Sequence, residues 1–141
     1  MGINFRNELK ISDDTFVIGH VGSYDPLKDQ ITLIEAFDIL NKQNFKFIAV
    51  LVGKNLDNDN NDLVTKIEEK GLSSSIHLLG MRNDIPAVMN GIDLFILSFN
   101  ISLNSLYSNF FFILEPIKFV GYPFFRPYID FVFELFFLLK S

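Results

Sequence analysis

The sequence predicts an α/β fold built on a parallel sheet. Three observations carry that prediction: four apolar runs that do not alternate with polar residues, helical spacing in the segments between them, and a small or turn-forming residue closing each run. A strand that is apolar without alternation is one buried on both faces, the condition of a central strand in a parallel sheet.

The elements follow in order. Residues 16–22 (FVIGHVG) form the first strand and end at Gly22. In the next segment Leu33, Ile34, Phe37 and Leu40 recur at three- and four-residue spacing, which predicts a helix with Asp29 as its N-cap. Residues 47–53 (FIAVLVG) are the second strand, ending at Gly53. Leu63, Val64 and Ile67 share one face of a second helix, and Gly71 suits its left-handed C-terminal cap. Residues 76–80 (IHLLG) give the third strand, residues 84–90 a short helix that tolerates Pro86 in its first turn, and residues 92–98 (IDLFILS) the fourth strand. The order βαβαβαβ is a Rossmann-like half-sheet.

Beyond Ser98 the character changes. Residues 1–98 hold nine Lys/Arg and fourteen Asp/Glu, whereas residues 99–141 hold three of each and eleven of the seventeen Phe. Pro116, Pro123 and Pro127 interrupt helices there, and Arg126, Asp130 and Glu134 interrupt an apolar membrane span. The expected organisation is therefore a domain over residues 1–98 and an irregular Phe-rich tail over residues 99–141. The tail has the composition an A/T-rich gene yields when read out of frame, so loss of the native frame near Ser98 or Phe99 is the hypothesis for its origin.

Composition limits the function. At 141 residues the chain accommodates one modest domain. The net charge of −5 disfavours a nucleic-acid backbone as partner. With no cysteine there are no disulfides, thiolate metal sites or cysteine nucleophiles, and His20 and His77 are the only imidazoles. His20, inside the first strand, reads as a core or subsurface side chain, and His77 as structural. No signal peptide is expected at the charged N-terminus, and Arg6 stands where a myristoylation motif needs Ser or Thr. The run 57–62 (DNDNND) lacks the glycine and terminal glutamate of a calcium loop and reads as a solvated segment capping the second helix.

In an open parallel sheet, ligands bind beyond the carboxyl ends of the strands, which directs attention to the loops after Gly22, Gly53, Gly80 and Ser98. The loop 22–29 (GSYDPLKD) brings backbone N–H groups, Lys28 and a helix N-terminus together, a combination that favours a diphosphate.

Three blocks, "IGHVGSYDPLKDQITLIEAFDIL", "FIAVLVGKNLDNDNNDLVTKIEEKGL" and "IHLLGMRNDIPAVMNGIDLFILS", together resemble the opening of the donor domain of retaining GT-B glycosyltransferases of the family-four, or group 1, type. The resemblance covers residues 6–98 and implies a nucleotide-sugar donor, which is a substrate, with neither cofactor nor metal. It implies that Lys28 contacts the diphosphate, that the Gly22 turn lets the backbone approach it, and that Gly53 and Met81-Arg82 line the nucleotide pocket, mostly through backbone groups. Ser23 departs from the pattern, which has an arginine clamp there. Loss of one charge-assisted hydrogen bond, roughly 1.5–3 kcal/mol, weakens donor binding about ten- to a hundredfold.

After the fourth strand the family carries a glutamate-glycine turn and a second glutamate, which hold the donor sugar and ribose. Residues 99–105 (FNISLNS) contain no acid, and Glu115 is wrongly spaced to replace one. No catalytic residue is therefore assigned. The facing acceptor lobe, which positions substrates at a gain of roughly 7–11 kcal/mol, is not represented either. The expectation is a truncated, inactive glycosyltransferase in the cytoplasm or at the inner face of the membrane, descended from an enzyme acting on a glycan or lipid acceptor. The alternatives are a non-catalytic nucleotide- or partner-binding module and a membrane-associating role for the tail.

Overall fold

The computed structural model describes residues 2–103 and 106–114, with side chains described for residues 5–98. Helix α1 (Gly2–Glu8) leads into strand β1 (Val17–Val21). There follow α2 (Gln30–Lys42), β2 (Ile48–Val52), α3 (Asn61–Glu69), β3 (Ile76–Gly80), α4 (Ile85–Gly91), β4 (Leu94–Leu103) and β5 (Leu106–Leu114). The sheet order is β3-β2-β1-β4-β5. Four strands run parallel, and β5 pairs antiparallel with β4.

Over residues 17–98, strands β1 to β4 send alternate side chains to opposite faces, and both faces are covered. Ile18, Ala49, Leu51, Leu94 and Ile96 pack with Leu33, Phe37 and Leu40 of α2 and Leu63 and Ile67 of α3. On the other face Val17, Val50 and Val52 meet Phe5 of α1 and Val88 of α4. The unbroken apolar runs are thus accounted for, and the Rossmann-like half-sheet is the observed fold.

The helix ends obey local chemistry. Asp29 caps α2, accepting from the Thr32 N–H and, at 2.7 Å, from the Thr32 hydroxyl. Asn60 caps α3 by accepting from the Leu63 N–H. Gly71 ends that helix at φ +68°, in the left-handed region.

Two features were not expected. The first is α1, held by tertiary contacts: Arg6 donates to the Gly91 carbonyl at 2.9 Å, to the Ser12 and Thr15 carbonyls, and to Asp93 at 2.8 Å. Asp93 also accepts from the Val17 N–H, so this partly buried pair joins α1, β1 and the start of β4. The second concerns the segment expected to be irregular from residue 99. There β4 runs on through Ser98 to Leu103 and pairs with β5 from Phe95↔Leu114 to Leu103↔Leu106. Residues 104–105 and 115–141, which include Glu115 and the prolines and charges of the tail, lie outside the described residues.

Candidate functional site

The carboxyl ends of β1, β2 and β3 are joined by backbone hydrogen bonds. The Gly22 N–H donates to the Val52 carbonyl at 2.9 Å and the Tyr24 N–H to the Lys54 carbonyl at 2.8 Å. The Gly53 N–H donates to the Gly80 carbonyl at 2.8 Å, and the Gly80 N–H to the Leu56 carbonyl at 2.8 Å. The result is a continuous ledge of main chain. Gly53 is indispensable to it: its φ is +147°, and a β-carbon there would lie 1.8 Å from the Gly22 carbonyl oxygen. Two strand ends therefore touch main chain to main chain.

Above this contact sits Lys28. Its Nζ would be 3.1 Å from a β-carbon on Gly22, and it donates to Ser23 Oγ at 3.3 Å. The loop that carries it is internally tied: Asp25 accepts from the Leu27 N–H at 2.8 Å, and its carbonyl accepts from the N–H groups of Lys28 and Asp29. Ser98 of β4 donates from its hydroxyl to the Lys28 carbonyl. Among the described residues, the Ser23 N–H is the main-chain donor of loop 22–29 with no hydrogen-bond partner. A backbone N–H, a hydroxyl and an ammonium thus converge on one turn, which is the donor set that holds a phosphate oxygen.

The helix end contributes less than the sequence suggests. The carboxylate of Asp29 already occupies the first turn of α2, so part of the positive end of the helix dipole is met internally. Lys28 and the Ser23 N–H are the remaining positive groups at the turn.

Of the residues singled out in the sequence, Gly22, Ser23, Lys28 and Gly53 come together at this ledge. The Arg82 side chain does not join them. Its guanidinium donates to both oxygens of Glu8 at 2.8 and 2.9 Å and to both oxygens of Asp84 at 2.7 Å, and lies 5.5 Å from the centroid of Phe5. Asp84 and Glu8 hold the guanidinium pKa well above its ordinary value, and Arg82 in turn lowers both carboxyls. Its side chain fastens α1 to the segment after β3, and only its main chain remains for a pocket.

Two further residues hold the site from beneath. Gln30, the first residue of α2, donates to the Ser23 carbonyl at 2.9 Å and accepts from the Asp25 N–H at 3.3 Å. His20 lies beneath it, with Nε2 at 3.3 Å from the Gln30 amide nitrogen and Nδ1 at 3.0 Å from the Ile96 carbonyl. Burial, with a smaller contribution from the Lys28 charge, lowers the His20 pKa. Nothing in the sequence marks Gln30, because its role depends on the packing of α2 against β1 and β4.

Among the described residues no group of three or more His, Asp, Glu or Cys side chains is gathered to hold a metal ion. No helix among them is long and apolar enough to cross a membrane.

Comparison with known proteins gives this geometry a context. A family model described as glycosyl transferases group 1 matches residues 3–100. Among solved structures, Anabaena Alr3699/HepE in complex with UDP and glucose is 32% identical, with a TM-score of 0.53 over 64% of this chain and 24% of that one. The same protein in complex with UDP-glucose gives the same identity, coverage and score. WaaG, a glycosyltransferase involved in lipopolysaccharide biosynthesis, shares the fold at 24% identity and a TM-score of 0.55, over 67% of this chain and 25% of that one. The chain therefore spans about a quarter of the length of the solved structures it matches. No curated protein matches it.

Proposed function

Since this chain belongs to the glycosyl transferases group 1 family, we propose that its ledge binds the diphosphate of a nucleotide-sugar donor. Lys28 and the Ser23 N–H and hydroxyl hold the phosphates over the Gly22 turn, while the main chain at Gly53 and Met81-Arg82 flanks the nucleotide. The observation that carries this reading is the placement of Lys28 Nζ directly above Gly22, where the Gly22–Gly53 contact excludes side chains. UDP is the nucleotide chosen for testing, because the Anabaena protein, at 32% identity, is described in complex with UDP and with UDP-glucose.

We further propose that the 141-residue chain by itself holds a donor without transferring its sugar. At the end of β4, where carboxylates would meet the sugar, residues 99–105 supply none. The strand also continues to Leu103, with Ser98 paired to Phe111, where an open loop would be needed. Ser23 in place of an arginine leaves one basic clamp at the turn, so affinity for the donor is modest.

Calorimetric titration of UDP and UDP-glucose into the full chain, alongside an assay of sugar release, tests both statements. Weak saturable binding without turnover is the expected result. Absence of saturable binding at millimolar ligand refutes the first statement, and transfer or hydrolysis by the purified chain refutes the second.

A further inference from the structure

Gln30 is 1% exposed and His20 likewise 1%, yet each polar atom of the pair is satisfied. The directions of these bonds are forced. The Asp25 N–H can only donate, so the oxygen of the Gln30 carboxamide faces it, and the amide nitrogen donates to the Ser23 carbonyl. That nitrogen also faces His20 Nε2, which must therefore be the acceptor, leaving the ring proton on Nδ1 to donate to the Ile96 carbonyl. A single path runs from the main chain of β4, through a neutral imidazole on β1 and a carboxamide on α2, to both sides of Tyr24 in the loop.

We propose that Gln30, oriented by neutral His20, is the positioning residue of the diphosphate-binding loop, fixing the Ser23 carbonyl and Asp25 N–H so that the Ser23 N–H and Lys28 converge at Gly22. The proposal rests on the functional reading above and adds to it a residue that touches no ligand. It has a chemical consequence. A proton added to His20 Nε2 would point at the Gln30 amide nitrogen, and the carboxamide could accept it only by turning over, which breaks its bonds to Ser23 and Asp25. The groups facing the ring are Lys28 from the loop, the uncharged Gln30 from α2, the Ile96 carbonyl from β4 and apolar Leu51, its register partner on β2. No carboxylate among them compensates a proton, so the arrangement selects the neutral ring.

The test compares the full wild-type chain with Gln30→Met and His20→Asn, the latter keeping a donor for Ile96 while removing the acceptor for Gln30. UDP affinity and amide hydrogen exchange are read on each. At pH 8, Gln30→Met weakens UDP about tenfold, the size expected for two lost neutral hydrogen bonds, and speeds exchange of the Asp25 N–H about as much. The amides of Leu33 and Ala49, inside α2 and β2, keep their protection. For His20→Asn the loss is smaller, because the carboxamide keeps its bonds to Ser23 and Asp25 and loses only its orienting acceptor. Equal UDP affinity in wild type and Gln30→Met overturns the proposal alone, as does loss of protection throughout α2. Failure of the wild-type chain to bind UDP instead removes the functional reading, and this proposal with it.

Discussion

Gly53→Ala isolates the main-chain contact on which the ledge depends. The added β-carbon would lie 1.8 Å from the Gly22 carbonyl oxygen, 2.5 Å from its carbon and 3.2 Å from the Ser23 nitrogen. All three are backbone atoms, so no flexible side chain can yield. The φ of +147° belongs to glycine, and holding alanine there costs about 1–3 kcal/mol. Forcing the Gly22 turn away adds an overpacking cost of about 1–3 kcal/mol. Together these predict a loss of about 2–6 kcal/mol; at a urea slope of about 1–3 kcal/mol per molar, the unfolding midpoint falls by about 1 M or more. Gly71→Ala is the matched control. Its φ of +68° is also left-handed, but nothing lies within 4 Å of its added carbon, so the conformational cost of about 1 kcal/mol stands alone. Urea unfolding followed by circular dichroism compares the two. A Gly53→Ala loss no larger than that of Gly71→Ala would refute the claim that the strand ends touch main chain to main chain.

Two other outcomes are expected. Arg82→Ala lowers the thermal midpoint by releasing α1 from the segment after β3, and leaves UDP affinity within about twofold, since a guanidinium held by Glu8 and Asp84 away from the ligand contributes little to binding; a tenfold loss on titration would place the guanidinium in the pocket. The pH dependence of stability follows from His20, whose folded pKa is lowered chiefly by burial. The unfolded chain, with its imidazole near pKa 6.5, takes the proton first, so the stabilisation is complete above about pH 6.5 and is lost as pH falls below it. Urea midpoints of wild type and His20→Asn should converge as pH is lowered from 7 towards 5, and parallel curves would contradict the assignment.

Much of the half-sheet is legible because its signals are local. The runs at 47–52 and 92–97 read as strands by apolar continuity, and Asp29 and Gly71 mark helix ends by their own chemistry. Helix α1 is not legible. Its seven residues carry neither a cap nor a full apolar period, and it is fixed by Arg6 reaching Gly91 and Asp93, far along the chain. The continuation of β4 did leave a mark: residues 99–103 (FNISL) alternate apolar and polar, a two-residue period hidden behind the abrupt change in composition. At the site, Gly22, Lys28 and Gly53 stand out because few residue types suit a tight turn or an anion. Arg82 looks the same in sequence whether it faces a pocket or Glu8, and the partner sits 74 positions away. Gln30 and His20 are silent for a similar reason, since His20 meets Ile96 only once β1 and β4 are aligned.

The central claim is that Lys28 supplies the positive charge of a diphosphate seat. Lys28→Met keeps the apolar stem and removes the ammonium, so the difference in UDP affinity between this variant and the wild-type chain measures that charge. Loss of one charge-assisted hydrogen bond predicts binding weaker by about tenfold or more with an unchanged urea midpoint. Equal affinities in the two proteins would contradict the account.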